Sequence, residues 1–194
     1  MKEILESYFD IAGRLPLATE VTDEAGNAVG LGDAFGLAIE LVSAANTAGN
    51  TLRFIGNGGS AGIASHMSTD FLKRAGIRAT ALNDPSILTC LGNDLGYEEV
   101  FAHQLSLHSR PGDVLVAISS SGQSLNILNA GRIAKERGSA IVTFSGFDVN
   151  NPLRGMGGLN FYVASFEYGF VELTHMALLS ALADILIGWR PESA

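Results

Sequence analysis

The segment SSSGQS, residues 119–124, combines residue types that could bind an anion. It holds four hydroxyl side chains, on Ser119, Ser120, Ser121 and Ser124. Gly122 lets a ligand approach the backbone closely. An apolar, β-branched run over 114–118 predicts a buried parallel strand before this turn, and a helical pattern begins at Leu125. The segment therefore predicts an anion site at a helix N-terminus. All of its donors would be neutral, because the segment contains no Lys or Arg.

Alternating strand-like and helix-like segments must position this turn. Strands are predicted over 51–55, 78–82, 114–118, 140–145 and 159–163, and helices over 3–13, 34–48, 61–73, 98–108, 125–137 and 168–187. Asp33 is the predicted N-cap of the second helix, and the irregular segment 14–32 is predicted to contain a loop. Strand–helix alternation predicts an α/β fold, a three-layer α/β/α sandwich around a five-stranded parallel sheet of flavodoxin-like type, plus N-terminal helices.

Two further polar loops are predicted at the same edge of the sheet. They are GNGGS at 56–60, after a predicted strand, and GND at 92–94, after a predicted helical turn over 87–91. Ligands of parallel sheets bind beyond the carboxyl ends of the strands. The serine turn alone could be an ordinary helix cap, but three such loops together favour a site for a phosphorylated small molecule.

The composition limits the class of protein. The chain has 194 residues, 47% of them hydrophobic, which predicts a compact core. Twelve basic and 20 acidic residues give a net charge of −8 without a basic cluster, so no nucleic-acid surface is expected. The single Cys90, in an apolar run, excludes an internal disulfide and is expected to be buried. Neither a signal peptide nor a membrane-spanning run is recognised, which predicts a cytoplasmic protein without a membrane partner.

Four segments together resemble the sugar isomerase (SIS) domain family, of the phosphoheptose isomerase type. They are GNGGSA at 56–61, SILTCLGNDLGYEEVFAHQ at 86–104, RPGDVLVAISSSGQSLNIL at 110–128 and the final helix. The resemblance covers roughly residues 50–188. It divides the chain into an N-terminal helical segment for packing or oligomerisation, 1–49, and an SIS domain, 50–194, and it implies a homotetramer with sites at subunit boundaries.

The resemblance also implies roles for matching positions. The four serines match the positions that hold the sugar phosphate. Substrate contacts are implied in the first loop for Asn57, Gly58, Gly59 and Ser60, and in the third loop for Asn93 and Asp94.

A zinc site is implied by the family as well. Its positions hold His66, Asp70 and Glu172 here, while Ser180 replaces the expected histidine. His66 and Asp70, at i and i+4, share one helix face, whereas serine is a poor zinc ligand and does not titrate near neutral pH. His175 lies on the final helix about 140° away from position 180, and could be a substitute ligand or a packing residue.

Two classes of function follow from these residues. The first is an aldose–ketose isomerase that converts sedoheptulose 7-phosphate to glycero-manno-heptose 7-phosphate, a precursor for cell-surface polysaccharide such as lipopolysaccharide. Glu172 or Asp70 would move the proton, and zinc held by His66, Asp70 and Glu172 would polarise the carbonyl. The second is a sugar-phosphate-binding or partner-binding SIS protein without catalysis, as in the relative that binds the bacterial replication initiator. An isomerase or epimerase of another phosphosugar is a third possibility.

Overall fold

The computed structural model describes residues 1–191. Its helices are α1 (Lys2–Arg14), α2 (Leu31–Thr47), α3 (Gly59–Lys73), α4 (Pro85–Asp94), α5 (Ala102–His108), α6 (Leu125–Glu136) and α7 (Tyr168–Leu186). Its strands are β1 (Glu20–Thr22), β2 (Ala28–Val29), β3 (Leu52–Gly56), β4 (Ala79–Ala81), β5 (Val114–Ser119), β6 (Ala140–Gly146) and β7 (Leu159–Val163). Short 3-10 helices occur at Tyr97–Glu99 and Pro152–Gly155.

The strands form one sheet in the order β2-β1-β7-β6-β5-β3-β4. Strands β3 to β7 are mutually parallel, as predicted. One face of the sheet packs against α2, α3 and α7, and the other packs against α4, α5 and α6. The central strand β5 is buried along its whole length, which explains its uninterrupted apolar sequence. The predicted three-layer α/β/α fold is confirmed.

The segment 14–32 differs from the prediction, because it contains a β-hairpin rather than only a loop. Strand β1 pairs antiparallel with β2 and with β7, and so extends the five parallel strands to a sheet of seven. Strands of three and two residues are too short to show an alternating pattern in the sequence. The Asp23 carboxylate accepts hydrogen bonds from the backbone N–H groups of Ala25 and Asn27, which stabilises the turn.

Three helix boundaries also differ from the prediction. Helix α2 begins at Leu31 after Gly30, so Asp33 lies in its first turn and is not its N-cap. Asp84 caps α4 by accepting a hydrogen bond from the Ile87 N–H, and α4 then continues through the segment 92–94 that was expected to be a loop. The next break comes at Gly96, where φ is 96°, and α5 starts only at Ala102.

The strand order places the ends of β3 and β5 side by side. Chain connections from β3 lead to one side of the sheet and those from β5 lead to the other, so their carboxyl ends form a topological switch point. Gly56 lies opposite Ile118 in the register of this pair. The loops that follow the two strands therefore leave the sheet at the same height.

Opposite this edge, a buried ion pair joins the amino-terminal ends of the same strands. Arg53 donates to the Asp113 carboxylate, which also accepts backbone N–H groups of Thr51 and Arg110. Burial by itself would raise the pKa of Asp113, but these hydrogen bonds outweigh it and hold the pKa below its ordinary value. The contact fixes the pairing of β3 with β5 far from the predicted site.

Helix α7 is the one helix among the described residues that is long and apolar enough to cross a membrane by composition. Its buried residues include Val171, Leu178 and Leu182, of which Leu178 and Leu182 belong to the core cluster shared with the sheet. This packing explains its apolar composition as that of a core helix.

His175 on α7 is a completely buried packing residue. Its Nε2 lies 3.1 Å from the Ser145 carbonyl oxygen, and its ring packs edge-on against Phe144. Among the described residues, its Nδ1 has no hydrogen-bond partner. Burial lowers the pKa of His175 from 6.5 to about 4, so the imidazole is neutral near neutral pH.

We predict that acid destabilises the fold through His175. Because the pKa falls from 6.5 to about 4 on folding, the unfolded chain takes up a proton in this range that the folded chain does not. The contribution of neutral His175 to stability is therefore fully present above this range. The free energy of unfolding falls by roughly 3 kcal/mol as the pH falls through it. Urea unfolding across this pH range should show a shallower dependence for His175→Gln, which keeps a neutral donor.

The exposed His103→Gln variant is the control and should retain the wild-type pH dependence. An unchanged pH dependence in His175→Gln would contradict the prediction.

Candidate active site

The loops after β3 and β5 enclose a small pocket, here called the serine pocket. Its volume is about 120 Å³, and it is lined by Asn57, Ser60, Ser119, Ser120, Ser121, Ser124, Tyr168 and Glu172. Two of the three loops predicted to converge therefore do so. The lining set, drawn from residues 1–191, contains no Lys or Arg. Hydroxyl and backbone donors would have to bind the charge of an anion.

The N-terminus of α6 is open toward a ligand. Ser124 is its N-cap residue, yet within residues 1–191 its hydroxyl makes no capping hydrogen bond to the helix backbone. It lies instead 3.5 Å from the Ser119 hydroxyl. Ser120 is buried, and in the described chain its hydroxyl has no partner. Uncapped helix N–H groups and free hydroxyls form the donor set that a phosphate requires.

The serine turn is held by the segment after β6. Gly122 has a φ of 63°, and a Cβ built on it would lie 1.9 Å from the Asn151 side-chain oxygen. The Gly122 carbonyl accepts a hydrogen bond from the Leu153 N–H, and the Gly146 N–H donates to the Ser120 carbonyl. The turn thus depends on glycine at position 122 for both backbone conformation and space.

Glu172 is the ionisable carboxylate of the serine pocket. It lies on the first turns of α7, one turn after Tyr168, whose ring packs edge-on against Phe147 at 4.8 Å. A Cβ on Gly59 would lie 2.3 Å from a Glu172 carboxylate oxygen, so the carboxylate rests on the N-terminal turn of α3. The positive end of the α3 dipole favours an anion there.

Asn57 is positioned by two residues that the sequence alone did not single out. Its side-chain oxygen accepts hydrogen bonds from the Asn126 amide and the Tyr97 hydroxyl, both at 2.9 Å. Its amide nitrogen donates to the Asn126 oxygen, also at 2.9 Å. Asn126 is buried on α6. A polar residue on the apolar, buried side of this helix was the sequence signal that could have identified it.

Asn93 and Asp94 lie apart from the serine pocket, exposed at the end of α4. The Asn93 amide donates to the Asp94 carboxylate at 2.7 Å. Cys90, which was expected to be buried, is exposed, with its Sγ 3.6 Å from Asp94. The correction follows from α4, whose ten residues include none that is buried in the described structure. The substrate contacts implied for Asn93 and Asp94 remain predictions.

The implied zinc ligands do not converge. No group of three His, Cys, Asp or Glu side chains within residues 1–191 is arranged around a common point. The Nε2 of His66 lies 3.6 Å from Asp70, which also pairs with Arg74 at 3.2 Å. Arg74 reaches across to Asp184 on α7.

Helix geometry explains this separation. Glu172 rests on Gly59 at the start of α3, whereas Asp70 lies eleven residues further along that helix, about 16 Å at 1.5 Å per residue. Ser180 faces Met67, with its hydroxyl 3.7 Å from the sulfur. These residues do not fit a zinc ion within one chain, and His175, buried in the core, does not complete the set.

The family of this chain follows from its similarity to known proteins. The model of the SIS domain matches residues 28–146, and the chain belongs to the SIS domain family. Within it, the chain is related to proteins named phosphoheptose isomerase. One from Geobacter sp. (strain M21) is 36% identical over 155 residues, which cover 77% of this chain and 80% of the relative.

Another such protein, from Rhodospirillum rubrum, is 44% identical over 112 residues, covering 55% of this chain and 60% of the relative. The solved structure of phosphoheptose isomerase GmhA from Neisseria gonorrhoeae has a TM-score of 0.82 and 28% identity. That alignment covers 95% of this chain and 98% of the neighbour.

We predict that Gly122→Ala disrupts the serine turn. A β-carbon there requires both a left-handed backbone and displacement of Asn151, so the free energy of unfolding should fall by at least about 2 kcal/mol. Gly26→Ala is the matched control, because φ is 84° there but the space around a Cβ is open. The control should lower the free energy of unfolding, measured with urea, by only about 1 kcal/mol. Equal losses in the two variants would contradict the role of Asn151.

We predict that the chain retains well below one zinc per protomer after dialysis, because Asp70 is paired with Arg74 and lies far from Glu172. Metal analysis by mass spectrometry measures this. Ser180→His is the matched variant: it adds an imidazole next to Met67, one residue from His66, and should raise zinc retention. One zinc per wild-type chain would contradict the prediction and indicate ligands from a second chain.

Proposed function

We propose that this protein is a sugar-phosphate isomerase, and that its reaction is the conversion of sedoheptulose 7-phosphate to glycero-manno-heptose 7-phosphate. The observation that carries the proposal is the serine pocket, where an uncapped helix N-terminus, free hydroxyls and Glu172 meet. The family relatives named phosphoheptose isomerase support it. The product would supply heptose for cell-surface polysaccharide such as lipopolysaccharide.

The hydroxyls of Ser119, Ser121 and Ser124 and the first N–H groups of α6 bind the phosphate. Glu172 is the carboxylate in reach of a ligand in this pocket, whereas Asp70 is held in an ion pair outside it. Glu172 takes the proton from the carbon beside the carbonyl and returns it to the neighbouring carbon, while the hydroxyl proton passes to the former carbonyl oxygen through an enediol. No step is assigned to zinc.

Ser60 and Asn57 line the pocket near Glu172 and supply neutral polar groups. Their hydroxyl and amide are positioned to hydrogen-bond the oxygens of an enediol, where negative charge develops. Gly58 and Gly59 bring the backbone at the start of α3 to the same region. The contacts of these four residues with substrate are part of the proposal.

Assembly and location follow from the same proposal. We expect a homotetramer that acts in the cytoplasm on a small phosphorylated sugar. The thirteen residues of α1 are all exposed or half-exposed, and they include the apolar Ile4, Leu5 and Phe9. A helix with an uncovered apolar side is typical of a subunit contact.

A non-catalytic sugar-phosphate-binding protein is the second candidate. It is favoured by one observation: Ser180, which stands where the family has a histidine, packs against the Met67 sulfur and supplies no acid or base. Such a protein would bind the sugar phosphate tightly without converting it.

We predict that the wild-type protein forms aldose from sedoheptulose 7-phosphate, with deuterium incorporated at the reacting carbon in D₂O, as followed by NMR. Glu172→Gln should lower turnover by about 10²- to 10⁴-fold because the proton-transfer group is lost. Its phosphate affinity should be equal or higher, since a negative charge leaves the pocket.

Glu136→Gln, which removes an exposed carboxylate at the far end of α6, is the control and should remain active. Tight binding of the sugar phosphate by folded wild-type protein without conversion would reject the isomerase in favour of the binding protein.

A further inference from the structure

Tyr168 is the aromatic residue of the serine pocket. It is the first residue of α7, it lines the pocket, and 62% of its surface is exposed. Within residues 1–191, its ring is held by aromatic packing against Phe147 rather than by a hydrogen bond from its hydroxyl. The phenol oxygen is therefore available to a ligand in the pocket.

Tyr168 and Glu172 are the two residues that α7 contributes to the serine pocket. They are four positions apart, so they lie on the same face of the helix, one turn from each other. The serines come from the turn after β5 and from the start of α3. A ligand held by the serines therefore meets the phenol and the carboxylate together.

An uncommon backbone conformation fixes the ring of Tyr168. Phe147 has a φ of 59°, and in residues 1–191 it is the one residue other than glycine with a positive φ. Bulky residues rarely adopt this strained conformation. The Phe147 carbonyl accepts a hydrogen bond from the Tyr162 hydroxyl at 2.8 Å, and its N–H donates to the Ser165 carbonyl at 3.0 Å. Held in this way, the Phe147 ring contacts the rings of Phe166 and Tyr168.

The proposed isomerisation moves two protons, one bound to carbon and one bound to oxygen. Glu172 moves the first. The second must leave a hydroxyl and reach the carbonyl oxygen, which requires a group that both donates and accepts a proton. A phenol does both, and it gives up its proton more readily than the alcohol of a serine does. Tyr168 also stands at the start of α7, where the positive end of the helix dipole favours a transient negative charge.

We infer that the Tyr168 hydroxyl is a second catalytic group, which carries the oxygen-bound proton of the isomerisation. The inference rests on the proposed function. As Glu172 takes a proton from the hydroxyl-bearing carbon beside the carbonyl, the Tyr168 hydroxyl gives its proton to the carbonyl oxygen, and an enediol forms. The Tyr168 oxygen then takes the proton of the other enediol hydroxyl, while Glu172 returns its proton to the former carbonyl carbon. The aldose results, and both residues end in their starting states.

Tyr168→Phe tests the inference, because it keeps the ring and removes the hydroxyl. Its turnover of sedoheptulose 7-phosphate should fall by at least about 10²-fold, while the affinity measured by calorimetry stays within about twofold of wild type. The matched control is Tyr8→Phe. Tyr8 lies on α1 and packs against Phe170 of α7 outside the serine pocket, so this variant should keep wild-type turnover.

A double-mutant cycle tests Phe147 as a positioning residue that acts through Tyr168. Phe147→Leu removes the aromatic contact, so it should lower wild-type turnover by about fivefold or more, because the phenol is then misplaced. In the Tyr168→Phe background the same substitution should change turnover by no more than about twofold, since no hydroxyl remains to be positioned. Equal losses in the two backgrounds would overturn the positioning role.

The remaining outcomes separate the inference from the proposed function. Turnover of folded Tyr168→Phe within about threefold of wild type, or an equal loss in Tyr8→Phe, would overturn the inference while the proposed function stands. A loss of affinity as large as the loss of turnover would also overturn it, because the hydroxyl would then serve binding alone. A wild type that forms no aldose would reject the proposed function, and the inference with it. Circular dichroism should show every variant folded.

Discussion

The close approach of Gly122 to Asn151 is the contact on which the shape of the serine pocket depends. It lets the chain leave β5 in a left-handed turn and enter α6 with its first N–H groups facing the serine pocket. Asn151 is buried and tied to Ser145 and Gly146, at the end of β6. The turn is therefore anchored to the sheet, and hydroxyls rather than cations line the serine pocket.

The electrostatics of the site follow from two helix N-termini that meet at the switch point between β3 and β5. The start of α3 accommodates the protein's own carboxylate, Glu172, while the start of α6 has no side-chain cap within the described residues. This division lets a carboxylate lie in the serine pocket, which has no cationic side chain among its described lining residues. It also places Glu172 in the pocket to which the proposed reaction is assigned.

The packing of α3 on α7 separates Glu172 from Asp70, two residues that the family resemblance assigned to one zinc site. Residues 172, 180 and 184 of α7 meet α3 at Gly59, Met67 and Arg74, so the two helices run in the same direction. Glu172 therefore belongs to the serine pocket, and Asp70 belongs to an ion-pair cluster with Arg74 much further along. A metal site made from both would need a different arrangement of chains.

The sequence by itself determined the strand–turn–helix unit around the serines and the alternation of the parallel core, because both rest on local periodicity and on glycine. Short or non-local features could not be read in this way. The β1–β2 hairpin is too short for a pattern, and the end of α4 depends on a cap at Asp84. Asn57 and Asn126 pair across 69 positions, and the position of Glu172 depends on helix packing. Only the tertiary structure decided these contacts, because they depend on which distant segments the sheet order and helix packing bring together.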